Sequence, residues 1–128
     1  MDTLAFSTNW NNKLGCPAFG TIRLDNEKKY AVGRRFSVTL NGREIGTARA
    51  VSVRRFAHAH ITESLAYLDT GFGAAYLRTL LAKMYPNTNW ERQWLMHVVL
   101  AWETAVPVVM PRVQKNTHDL FSTSQQAA

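Results

Sequence analysis

The sequence predicts an α+β fold, a small curved β-sheet that runs into two helices and a closing strand. Three observations predict it. Apolar residues alternate with a period of two over positions 19–24 and 35–40, Asn41 and Gly42 separate the second run from a third, and from Ile61 the apolar spacing changes to three and four. The 128 residues fit one domain, and 46% hydrophobic residues supply a core that needs no disulfide or metal staple. The one cysteine, Cys16, excludes an internal bridge, and no stretch has the apolar length of a membrane span or signal sequence. A reducing cytoplasm is the expected setting.

The opening stretch FSTNWNNKLG, 6–15, mixes aromatics with Asn and Gly, which predicts a short strand and then a loop. In the strand at 19–24, Phe19, Thr21 and Arg23 point to one side and Gly20, Ile22 and Leu24 to the other. One side is core, and the other carries chemistry or solvent. After the polar turn LDNEKKYAVG, 24–33, a second strand at 35–40 sets Phe36, Val38 and Leu40 against Arg35, Ser37 and Thr39. Asn41 and Gly42 suit a type I′ turn, whose two central residues need positive φ, so a third strand returns antiparallel over 43–54. Small residues at 46–50 interrupt its pattern, predicting a bulge or bend of the kind that closes a small barrel.

Thr62 is the expected cap of a first helix whose apolar face is Ile61, Leu65 and Leu68; Gly71 and Gly73 break it. Ala74, Leu77, Leu81 and Met84 form the face of a second helix, stopped by Pro86. WLMHVVLAWE, 94–103, is apolar at nearly every position, as in a strand covered on both faces. After Pro107 and Pro111 the chain shows no period and its last residues are polar and small, so a domain at 1–106 is expected to precede a flexible or loosely docked tail at 107–128.

The formal charge is +6, and its placement is informative. Between positions 28 and 55 stand Lys28, Lys29, Arg34, Arg35, Arg43, Arg49, Arg54 and Arg55, against the single acid Glu44. That pattern reads either as a solvated outer face or as a footprint for a phosphate backbone. His58 and His60 would share a strand face with His97 or His118, but no acid or cysteine stands at ligand spacing, so no metal site is expected. GFGAAY, 71–76, lacks the third glycine and the preceding strand of a dinucleotide fold, so no such cofactor is expected. LDTGFG, 68–73, reads as an interhelical loop that presents the Asp69 carboxylate and Thr70 hydroxyl, or uses them as helix caps. Trp94 and Trp102 belong to the apolar strand, whereas Trp10, among Asn9, Asn11 and Asn12, is the partly exposed candidate for stacking on an unpaired base.

The order of these elements resembles the ASCH domain of the PUA-like superfamily. The resemblance rests on a strand ending in TIR, YAVG before a strand, a long hairpin, helices ending in LLAKMYP and a closing apolar strand. It covers about 6–103 and implies a partly closed barrel with two helices across one opening, in a superfamily largely devoted to RNA recognition. The most similar members are small bacterial amidohydrolases that deacetylate 4-acetylcytidine with a lysine three residues before the threonine of TIR, that threonine, and a glutamate between the helices. Here the threonine is Thr21 and the arginine Arg23, but the lysine's place is Ala18 and the glutamate's falls near Asp69, one methylene shorter. A threonine nucleophile needs a base, and Lys13 is the loop lysine that could replace the missing one. The family's Gly–Asp pair becomes Gly33 and Arg34, an acid exchanged for a base.

The resemblance thus implies an RNA or modified-nucleoside ligand in a cleft lined by Thr21, Arg23 and Asp69, with Lys13, Arg34, Arg35 and Trp10 contributing. Arg23 pairs with phosphate or a base edge, or else clamps the barrel to a carbonyl or Asp69. One alternative is an enzyme, an amidohydrolase or ribonuclease with Thr21 and Asp69 as catalytic residues and a displaced lysine. Another is a protein-interaction module: small ASCH-like proteins occur in phage genomes, and a basic inhibitor would engage an acidic host protein. No membrane partner is expected.

Overall fold

A computed structural model describes residues 1–108. The alternating segments form strands β1 (Asp2–Phe6), β2 (Ala18–Leu24), β3 (Arg35–Leu40), β4 (Arg43–Ala57) and β5 (Trp94–Trp102), with helices α1 (Glu63–Thr70) and α2 (Ala74–Met84) between the last two. One sheet has the order β1-β3-β4-β5-β2. β1 runs parallel to β3, and the other pairings are antiparallel.

The β3–β4 turn places Asn41 and Gly42 at φ of 53° and 80°, the left-handed pair that the turn requires. Two register shifts then bend β4. Val38 pairs with Gly46 but Thr39 with Glu44, leaving Ile45 as an extra residue. Ala50 pairs with Leu100 but Ser52 with Val99, leaving Val51 as the second. These bulges bracket the run of small residues and raise the local twist, so β4 pairs with β3 in its first part and with β5 through its second. The sheet curls into a partial barrel whose edge strands face each other: the rings of Phe6 in β1 and Phe19 in β2 meet edge-on at 6.0 Å.

Inside the curl, Leu4, Phe6, Phe19, Phe36, Val38, Ala48, Ala50, Met96, Val98 and Leu100 form the main core. The opposite face of β2 and β5 carries Ile22 and Leu95, which pack against Ala66 of α1 and Ala74, Leu77 and Leu81 of α2. α2 buries the face its spacing predicts. The face expected for α1 holds in part: Ile61 is buried and Leu65 packs against the same cluster, but Leu68 is 72% exposed, and Ala66, Asp69 and Thr70 are buried. The helix begins after Thr62, whose hydroxyl accepts from Leu65 N at 3.1 Å, so Ile61 lies outside it and the buried stripe is shifted. β5 is interior to the sheet as expected, yet Trp94 at its start is exposed rather than core.

No helix among the described residues is long and apolar enough to cross a membrane. Positions 109–128 of the expected tail, and with them His118, lie outside the described residues.

Candidate functional site

Two polar centres stand out, one sealed and one open. The sealed centre lies where β1 and β2 face each other. Between these strands a 3-10 segment, Trp10–Gly15, turns sharply because Asn11 and Asn12 adopt φ of 56° and 53°, a region that asparagine tolerates better than most residues. Asn9 Oδ1 accepts from Leu14 N at 2.9 Å, and Asn11 Nδ2 donates to the carbonyls of Tyr67 and Leu68 at the end of α1. These bonds fasten the segment to the helix and turn Lys13 inward. Lys13 Nζ meets Asp69 Oδ1 at 2.5 Å, with both side chains buried. Asp69 Oδ2 is also buried and accepts no hydrogen bond from a described residue.

Beside this pair, Arg23 spans the two edge strands. Its Nη2 donates to the Ala5 carbonyl at 2.9 Å and its Nε to Thr21 Oγ1 at 3.0 Å. The Arg23 guanidinium and the Lys13 ammonium lie 4.7 and 5.3 Å from the centroid of the same Phe6 ring. Burial pulls the Lys13 pKa below its ordinary value, opposed by the Asp69 charge and hydrogen bond and reinforced by Arg23. Burial lowers Arg23 likewise, with Tyr30, Tyr85 and Asp69 opposing.

The open centre is a groove of about 470 Å³ between the end of the β4–β5 ribbon and the start of α1. Arg54, Arg55, His60, Trp94 and His97 line it together with the apolar Phe56, Ala57 and Leu65 and the hydroxyl of Thr62; no carboxylate is among them. Arg55 stacks on Trp94, its guanidinium 4.4 Å from the ring centroid, and is held by Asp25 at 3.2 Å. Arg54 is exposed and makes no ion pair among the described residues. His97 connects the centres. Its ring lies on Gly20, where a Cβ would stand 2.6 Å from Nε2. Burial lowers its pKa, Asp69 raises it, and Lys13 and Arg54 lower it further.

Thr21, Arg23, Lys13 and Asp69 therefore come together, with Lys13 at the carboxylate and Ala18 exposed on the surface. Arg34 and Arg35 do not join them. Arg34 pairs with Asp2 at 3.0 Å and Arg35 with Glu103 at 2.5 Å, so two arginines of the basic run are neutralised by acids distant in sequence. Trp10 is not an exposed platform: it is 2% exposed and packs edge-on against Phe72 and Tyr76, because the asparagines around it turn the backbone and leave the indole inward. Sequence reasoning missed Trp94 and His97 as groove residues. The signal for both was available, since Trp94 opens an otherwise apolar strand and His97 interrupts it, but only the position of α1 decides which strand face stays open.

No family model matches the chain, and no curated protein matches it. Among solved structures, a crystal structure of a protein from Enterococcus faecalis, under the family model DUF984, is similar over 89% of this chain and 86% of that one. The TM-score is 0.52 at 11% identity. At that identity the likeness concerns the fold.

Proposed function

We propose that this chain is a nucleotide-binding domain of the ASCH type, which holds RNA or a nucleotide-like ligand in the groove between the barrel and α1. The groove carries this reading. It contains one arginine, Arg54, that meets no carboxylate among the described residues, and the exposed indole of Trp94, the kinds of group that a phosphate and an unpaired base require. Its volume of about 470 Å³ lies within the range of roughly 300–1,000 Å³ usual for small-molecule sites. In fluorescence titrations with a labelled single-stranded RNA, affinity is expected to fall with salt, and Arg54→Gln to flatten the logarithmic slope by about 0.7 per lost phosphate contact. Salt-independent binding would sink the reading.

A second reading is favoured by one observation, the desolvated Lys13 against Asp69 in the neighbourhood of the buried Thr21 hydroxyl. In an amidohydrolase acting on an acylated nucleoside, Thr21 Oγ would attack the acyl carbon while Lys13, in its neutral form, accepts the hydroxyl proton; the acyl C–N bond then breaks as Lys13 returns that proton to the departing amine, and water hydrolyses the threonine ester to release acetate. Asp69 orients the lysine, and Arg23 holds the threonine rotamer through its bond to Oγ1. Release of acetate from 4-acetylcytidine, abolished by Thr21→Val, tests it; absence of turnover leaves binding as the activity.

A further inference from the structure

We propose that the groove grips its ligand by a terminal phosphate seated between Arg54 and His97, and so selects nucleoside monophosphates or phosphate-ended RNA over a continuous strand. This inference rests on the nucleotide-binding reading above. Arg54 and His97 are direct partners in the β4–β5 register, which sets their Cβ atoms about 5 Å apart on one face, and both line the groove. The guanidinium is a planar fork that meets two phosphate oxygens at once, and the imidazole offers a third contact from the facing strand.

Arg34, Arg35 and Arg55 each meet a carboxylate, whereas Arg54, like Arg43, Arg49, Arg78 and Arg92, meets none among the described residues; of these five, Arg54 is the one that lines the groove. The His97 ring has a fixed seat, because Gly20 leaves room for it and for nothing larger than hydrogen at that position. Behind the ring, Lys13 from the 3-10 segment and Asp69 from α1 neutralise each other at 2.5 Å. In front of it stands Arg54 from β4. The net field on the groove side is positive, and an anion is the group that relieves it.

The rim explains why the phosphate should be terminal. At the Trp94 end, Arg55 draws in Asp25 at 3.2 Å and Glu27 at 4.0 Å. A diester strand leaving past Trp94 would bring its next phosphate toward these two carboxylates. A ligand that ends at Arg54 keeps its charge away from them. Trp94 and His97 are three residues apart along β5, so their rings leave the strand on opposite faces, and on the Arg54 and His97 side the base of such a ligand meets the apolar Phe56 and Leu65 of the groove.

Calorimetric titration of the full chain with cytidine, adenosine, their 5′-monophosphates and a short oligonucleotide with hydroxyl ends tests this. Each monophosphate is expected to bind on the order of tenfold tighter than its nucleoside, the worth of a charge-assisted pair, and Arg54→Gln to abolish that preference. Equal affinity of nucleoside and monophosphate overturns the inference. So does an unaltered preference in Arg54→Gln. An oligonucleotide with hydroxyl ends that binds as tightly as the monophosphates would also overturn it while the groove reading stands. Failure of all these ligands to bind would instead remove the groove reading, and this inference with it.

Discussion

The sealed seam between β1 and β2 and the open groove beside α1 use nearly the same side chains to opposite ends. Each contains an arginine stacked on an aromatic ring, at 4.7 Å for Arg23 over Phe6 and 4.4 Å for Arg55 over Trp94. In the seam the polar groups answer one another: Lys13 meets Asp69, and Arg23 meets Thr21 and the Ala5 carbonyl. In the groove Arg54 has no acid partner among the described residues, and its strand partner His97 feels the charges of Arg54 and of the buried pair alike. A charge removed from water must be paired or it destabilises the fold; a charge left in water is available to a ligand. The contrast separates groups that hold the barrel together from groups that can give up water to bind.

The largest expected effect lies in the seam. Asp69→Asn strands the Lys13 ammonium, and Lys13→Met strands the Asp69 carboxylate, so each should cost about 3–5 kcal/mol in urea denaturation. The double replacement Lys13→Met with Asp69→Leu should recover most of that loss. A cost below about 1 kcal/mol would mean that the pair behaves as an exposed one and would dissolve the contrast.

Arg23→Ala comes next. It removes two hydrogen bonds from a charged donor and should destabilise by about 1.5–3 kcal/mol. Were it instead to leave stability untouched while weakening nucleotide binding, Arg23 would belong with the groove. Arg54→Gln is the counterpart, expected to change stability by no more than about 0.5 kcal/mol because nothing in the fold depends on the exposed side chain.

The smallest effect is a pH dependence that links the two regions. Burial holds His97 below the ordinary imidazole value of 6.5, and His58 is lowered for the same reason. As pH falls below 6.5 the unfolded chain takes up protons that the folded chain refuses, so stability present at neutral pH declines on acidification. His97→Gln should flatten that decline in melts between pH 7 and 5, and His58→Gln should remove a separate part. A profile unchanged by His97→Gln would place the ring in water and detach it from the buried pair.

Much of the fold was legible because its signals are local. Period-two alternation defined β2 and β3, positive φ at Asn41 and Gly42 closed the hairpin from β3 to β4, and Thr62 capped α1, all decided within a few residues of chain. The C-terminal part of the α1 face was misread for a related reason: a shift of one residue, about 100° around the helix, moves the buried stripe without changing helix propensity, and only packing against Ile22, Leu95 and α2 selects Ala66, with Asp69 and Thr70, over Leu68.

The sequence by itself determined which side chains the molecule owns, the order of its strands and helices, and the positive charge concentrated between 28 and 55. Tertiary structure decided which of those charges remain free. Asp2 reaches Arg34 and Glu103 reaches Arg35 across 32 and 68 residues, and Lys13 finds Asp69 across 56. The meeting of Arg54 with His97 depends on a register shifted by the single extra residue Val51. Removing that residue would slide β4 against β5 and turn Arg54 to the other face, because side chains alternate with every step along a strand. Charge pairing is set by distance, and distance between remote residues exists only once the sheet has curled.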